Sequence, residues 1–188
     1  MRITRELDEA DHAAMPHETA AMANRDNHYE AAFEAFLRVR QTPYVAVDES
    51  RRSLLADASI KSLDFIVSST TGSTWLVDVK GRRFPSGLRK QYWKNWSTRD
   101  DLVSMAHWER LFGERFRAVF VFAYAILGDR APLPREQLFE FRQALYGFVA
   151  IRLEQYAFYA KQISPRWDTV AMPYERFREL AEPMERLL

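Results

Sequence analysis

The chain has 188 residues, 47% of them hydrophobic and 28% charged, which suits one compact domain with a full apolar core. Its formal net charge is only +1, so bulk charge argues neither for nor against a polyanionic partner, and the distribution of charge has to be read instead. There is no cysteine, which excludes disulfides, thiolate zinc sites and a cysteine nucleophile and fits a cytoplasmic setting.

Residues 1–10 are charged and carry no apolar core, so no signal peptide is expected. No apolar run has the length of a membrane span. Residues 1–25 lack a clear period and read as a loose arm or short helix, ahead of a single domain over 26–188. Tyr29, Phe33, Phe36 and Leu37 recur at helical spacing, which predicts an amphipathic helix over 26–40 capped by Asp26 or Asn27. Pro43 blocks its continuation. Residues 44–47 read as a strand, and 63–67 and 75–79 as two more joined by a polar, Gly-containing turn. A second helix fits 99–112, stopped by Gly113. Residues 117–126 form a long apolar strand, buried on both faces. A further strand over 148–153, a helix over 154–162 and a closing helix over 173–188, interrupted at Pro183, complete the reading. Tyr156, Phe158 and Tyr159 read as packing residues, and the Phe-rich stretch 116–124 as core.

Charge breaks two of these strands. Asp64 stands in the first half of the hairpin, and Asp78 and Lys80 in the second. A carboxylate inside an apolar strand is costly unless it is paired or solvated. Residues two apart on a strand share a face, so Asp78 and Lys80 point the same way. A turn at 70–72 pairs Ser69 with Ser73, and the same register sets Asp64 opposite Asp78. Opposed carboxylates about 4.5–5.5 Å apart repel unless a cation lies between them. Oxygen ligands of this kind favour magnesium or manganese. An acid followed two residues later by Lys is common by chance, so the weight rests on the paired strands around it. The plainer alternative is a Lys–Asp pair at a sheet edge.

A helix bearing Glu30, then Asp64, then Asp78-Val79-Lys80, resembles the PD-(D/E)XK nuclease superfamily, which includes restriction endonucleases and archaeal Holliday-junction resolvases. The resemblance covers roughly residues 26–126. It departs from the pattern at Leu63, where a proline is usual, and at Asp78, where Glu is commoner. It implies an α/β, restriction-endonuclease-like core with a central mixed sheet flanked by helices. It also implies a magnesium- or manganese-dependent nuclease acting on DNA rather than RNA, in some members as a homodimer. Under it Asp64, Asp78 and the Val79 carbonyl hold the metal. Lys80 orients or deprotonates the attacking water, or neutralises the developing charge. Glu30 binds metal-bound water or a second ion, with Glu34 its rival one turn on.

Residues 79–99 contain Lys80, Arg82, Arg83, Arg89, Lys90, Lys94 and Arg99 and no acid, with Phe84, Tyr92, Trp93 and Trp96 interleaved. Cations neutralise phosphates and rings stack on unpaired bases. Arg82, Arg83, Arg89, Lys90 and Lys94 are therefore candidate nucleic-acid contacts, and the resemblance adds Gln91, since some family members place a Gln on the helix after the Lys motif. Gly81, Pro85 and Gly87 predict a loop there, and the helical spacing of Trp93 and Trp96 suits packing equally well. Arg51, Arg52 and Lys61 form a smaller basic group, and Glu49 is a weaker metal candidate, better suited to a turn. His28 reads as a surface or capping residue, while His12, His17 and His107 lack ligand spacing. Beside the nuclease stand a non-catalytic binding module of the same fold and a plain structural domain with an accidental motif.

Overall fold

In this computed structural model, which describes residues 27–47, 53–55, 58–70 and 72–188, Asn27 caps the first helix by accepting the Tyr29 N–H. Helix α1 runs His28–Val39 and buries Ala32, Phe33, Phe36 and Leu37 along one stripe. The arm at 1–25, with His12 and His17, lies outside the described residues, as do Asp26, Asp48, Glu49, Arg51 and Arg52.

Strand β1 (Tyr44–Ala46) follows, then a small hairpin of β2 (Ser53–Leu55) and β3 (Ala58–Ile60). Next come β4 (Phe65–Ser68), β5 (Thr74–Phe84), β6 (Ser97–Thr98), α2 (Arg99–Phe112) and β7 (Phe116–Ile126). Strands β8 (Phe139–Phe141) and β9 (Ala144–Arg152) lead into α3 (Leu153–Tyr159), β10 (Lys161–Ser164) and β11 (Thr169–Ala171). Helix α4 (Tyr174–Leu180) and β12 (Glu182–Pro183) close the chain, with a 3-10 turn at Met184–Leu187.

The central sheet has seven strands in the order β1-β4-β5-β7-β9-β12, with β8 on β9. β5 and β7 are parallel and the other pairs antiparallel, so the sheet is mixed. A parallel pair needs a long crossover, and α2 lies in it. Helices cover both faces, as the α/β reading expects. Val77 and Val79 of β5 pack with Phe33 and Leu37 of α1. Leu76 and Phe84 face the other way, into a core with Met105 of α2, Tyr156 of α3 and Phe177 of α4. β7 is buried on both sides, with Val119 and Val121 in the first core and Phe120 and Phe122 in the second. A three-stranded sheet, β10-β11-β6, lies apart from the main one.

The structure corrects several sequence expectations. β5 does not end at Val79: it continues through Gly81 to Phe84, because β7 pairs with it over its whole length. The loop expected from Gly81 begins at Pro85 instead. Trp93 and Trp96 lie on an irregular segment, and Gln91 sits in an isolated bridge with Ser86 rather than on a helix. The helix expected over 154–162 stops at Tyr159, where β10 is recruited by β11. The closing helix ends at Leu180, and Pro183 joins an edge strand, where a missing N–H is tolerated. Phe158 is 80% exposed and packs into neither core.

Candidate functional site

The β4–β5 ladder pairs Ser68 with Thr74 and Phe65 with Val77, the register read from the turn. One step further the ladder changes. The Asp64 N–H bonds the Val77 carbonyl at 2.9 Å, and the Asp64 carbonyl accepts the Val47 N–H at 2.9 Å. The Asp64 side chain turns along β5 and its Oδ2 accepts the Val79 N–H at 2.5 Å. The carboxylate thereby takes the place of the strand partner that β4 no longer supplies. The Asp64 side chain is 7% exposed, and its bond to the Val79 amide offsets part of the cost of burying it.

Backbone groups of alternate β5 residues face opposite neighbours. Val77 and Val79 use theirs toward β4, whereas Phe84 uses its carbonyl toward Leu127 on the β7 side. The Val79 carbonyl therefore faces the same rim as the Asp64 carboxylate. Asp78, 8% exposed, and Lys80 project from β5 toward α2. Lys80 Nζ lies 2.8 Å from Asp78 Oδ2 and 3.0 Å from Asp101 Oδ2. Burial works to lower the Lys80 pKa, but the two carboxylates outweigh it and hold the ammonium charged, above the usual lysine range. The two ion pairs fix the ammonium between β5 and α2, where it can orient a ligand or neutralise charge.

Asp101 is the functional candidate that the sequence reading missed. It is the third residue after the α2 cap, and Thr98 and Asp101 bond reciprocally in a capping box. Oδ2 accepts from Ser97 Oγ and from the Thr98 N–H, each at 2.9 Å, while Oδ1 lies 2.9 Å from Lys61 Nζ. Burial pushes its pKa up, but Lys80, Lys61 and the Thr98 bonds more than reverse that and hold the carboxyl well below its usual range. The capping-box spacing from Thr98 to Asp101 was legible in the sequence. Its reach to Lys80 depends on how α2 crosses β5. Lys61, read as part of a basic group, is instead tied to Asp101 and lies 3.4 Å from Asp100.

The network joins Asp78, Asp100 and Asp101 to Lys61 and Lys80. The donors Asp64, Asp78 and the Val79 carbonyl are hard oxygens of the kind that suit magnesium or manganese. Among the described residues, no three His, Cys, Asp or Glu side chains are grouped so that they could hold one ion. Glu30 is buried in the first turn of α1, on the other face of the sheet from Asp78 and Lys80, and accepts from Asn27 Nδ2. Tyr29 beside it packs over Gly81, leaving no room for a side chain there. The rival Glu34 is bound by Arg38 at 2.6 Å and by the Tyr44 hydroxyl at 2.7 Å, which gives it a structural role.

The basic residues divide into two sets. Arg82 donates to the carbonyls of Gly81 and Trp96, and its guanidinium lies 3.9 Å from the Trp96 ring centroid, so it braces the fold. Arg83, Arg89, Lys90 and Gln91 are exposed, and Lys94 is half-buried. His28 bonds the Tyr146 hydroxyl at 2.8 Å, at the surface. No helix among the described residues is long and apolar enough to cross a membrane.

No family model matches the chain, and no curated protein matches its sequence. Among solved structures, the chain is similar to Hjc, a Holliday junction resolvase from the archaeal hyperthermophile Archaeoglobus fulgidus. The two are 10% identical with a TM-score of 0.48, over 85% of this chain and 97% of that one.

Proposed function

We propose that this chain is a metal-dependent nuclease that hydrolyses phosphodiester bonds in DNA. The observation that carries the reading is the meeting of Asp64 with the Val79 N–H while Lys80, on the next turn of the pleat, is bonded to Asp78. Asp64, Asp78 and the Val79 carbonyl would hold magnesium or manganese. Bound there, such a cation supplies Lewis acidity at the phosphate and lowers the pKa of an attacking water. Asp64 and Asp78 orient that water through their remaining acceptor directions. Lys80 offers its ammonium to the phosphate oxygen on which negative charge grows, a fixed positive charge that needs no rearrangement in the transition state. Glu30 would bind metal-bound water or a second ion. Arg83, Arg89, Lys90, Gln91 and Lys94 would neutralise or hydrogen-bond the backbone on either side of the cut.

A cleavage assay with magnesium or manganese tests this, using single-stranded, duplex, branched and RNA substrates. Asp78→Ala and Lys80→Ala should each abolish cutting. Asp78→Ala should also remove metal binding, which Lys80→Ala should largely keep. Cutting that survives Asp78→Ala would sink the reading. A second reading, a nucleic-acid-binding module without turnover, is favoured by the closed ion-pair network around Lys80. It predicts binding with a steep salt dependence and no cleavage by wild type.

A further inference from the structure

The chain forms a cleft of about 580 Å³, lined by the irregular segment 91–96 and by Ile163, Ala171, Met172 and Tyr174. That volume lies within the range of small-ligand pockets. The segment has no ladder of its own, yet buried groups pin its backbone. The Tyr124 hydroxyl donates to the Lys94 carbonyl at 3.0 Å, and the Tyr156 hydroxyl to the Asn95 carbonyl at 2.5 Å. The buried Asn95 amide exchanges two bonds with the Met172 backbone, at 3.0 and 3.1 Å. Trp93 adopts a φ of +56°, a costly conformation for a bulky residue. Its ring is fixed edge-on against Phe84, Tyr124 and Phe177.

This bracing leaves Trp96 39% exposed and Tyr174 55% exposed on the cleft wall. Arg82 lies over the Trp96 ring, 3.9 Å from its centroid, and the indole still keeps accessible surface on the cleft wall. Lys94 and Gln91 supply a cation and an amide on the same wall, and residues 79–99 contain no acid. The cleft is coupled to the candidate active site. Ser97, the next residue after Trp96, bonds Asp101, which bonds Lys80. Arg82 lies two residues beyond Lys80 on the same strand, about 7 Å along it.

We propose that this cleft stacks one unpaired nucleobase of a nucleic-acid strand on Trp96, so that the nuclease acts next to an unpaired nucleotide. The inference rests on the nuclease reading for its substrate class but not for its binding. A paired base cannot offer its face to a ring from outside the helix, whereas a splayed base can, and such stacking tolerates any sequence.

The test measures fluorescence anisotropy of a short dye-labelled DNA strand and of the same sequence as a blunt duplex, on the full chain in EDTA. Trp96→Ala should weaken single-strand binding about tenfold and duplex binding less than about twofold. Trp96→Phe should retain most of the affinity, and Phe158→Ala should change nothing. On wild type, a strand carrying abasic sites should lose the same factor, and Trp96→Ala should be indifferent to them. Equal weakening of strand and duplex, or equal binding of the abasic strand by wild type, overturns the proposal. If Trp96→Ala fails to fold, as read by circular dichroism, Tyr174→Ala and the abasic comparison on wild type decide the question. Base-dependent binding without cleavage in magnesium leaves the cleft standing and removes the nuclease. Cleavage without base dependence does the reverse.

Discussion

Lys80 and Asp101 meet between β5 and the first turn of α2, Nζ to Oδ2 at 3.0 Å, and each is bound by at least one further charged partner. Breaking a buried pair from one side costs about 3–5 kcal/mol when the remaining charge has no other partner, and Asp78 beside Lys80 keeps the loss here to the low end of that range. Asp101→Ala also removes half of a capping box. It should lower stability by about 3 kcal/mol in urea unfolding, against about 1 kcal/mol for Thr98→Ala. Lys80→Met in the Asp101→Ala background should recover part of the loss. If the two single substitutions simply add, the two side chains are not coupled.

Asp64 has two roles that substitution can separate. Asparagine still accepts the Val79 N–H, whereas alanine leaves that amide without its acceptor, at a cost of about 1–3 kcal/mol. Asp64→Asn should therefore melt near wild type while losing affinity for manganese in calorimetric titration. Asp64→Ala should lose both. Equal manganese affinity in Asp64→Asn and wild type would remove Asp64 from the metal set.

The two buried glutamates of α1 should behave differently. Glu34 holds Arg38 and Tyr44, so Glu34→Gln should lower the melting temperature and leave cleavage per folded molecule unchanged. Glu30→Gln should slow cleavage by about tenfold or more, with little change in melting. Cleavage rates that coincide for the two variants would assign Glu30 a structural role.

Gly81 stands under the Tyr29 ring, and a Cβ there would fall 2.2 Å from a ring carbon. Overpacking of this kind costs about 1–3 kcal/mol. Gly81→Ala should be destabilised by that amount in denaturant unfolding, and Tyr29→Ala should relieve the penalty. Because Tyr29 precedes Glu30, the same substitution should disturb the start of α1. An additive double variant would place the strain elsewhere.

The exposed cations should act through phosphates. Arg89→Ala and Lys90→Ala should each reduce the slope of log affinity against log salt by about one, without changing stability. Arg82→Ala should instead destabilise the segment 91–96, because its guanidinium is spent on Trp96 and on two carbonyls. A salt slope unchanged in Arg89→Ala and Lys90→Ala would place the DNA elsewhere.

Much of this molecule was readable from local pattern. The limits of α2, from Arg99 to Phe112, followed from amphipathic spacing and from Gly113, whose φ is +86°. The hairpin register followed from the turn, and the shared face of Asp78 and Lys80 from the two-residue strand period. The turn could not reveal that Asp64 leaves the ladder, because that depends on where β4 ends. Gly81 looked like a turn residue, but its small size serves the Tyr29 contact inside a strand extended by β7. Trp93 and Trp96 have helical spacing, yet Tyr124, Tyr156 and Asn95, far away in sequence or buried, hold their backbone out of a helix. Asp101 showed its local bond to Thr98 and hid its distant one to Lys80.

β4 pairs with β5 only as far as Val77, while β5 runs on to Phe84. The reactive groups thus sit on a notch in the sheet, anchored by a strand whose own hold comes from β7. The segment leading into Asp64 is held by α2 as well, since the Lys61 N–H bonds Ser104 Oγ and its carbonyl accepts from Trp108, so helix and strand together fix where that carboxylate docks.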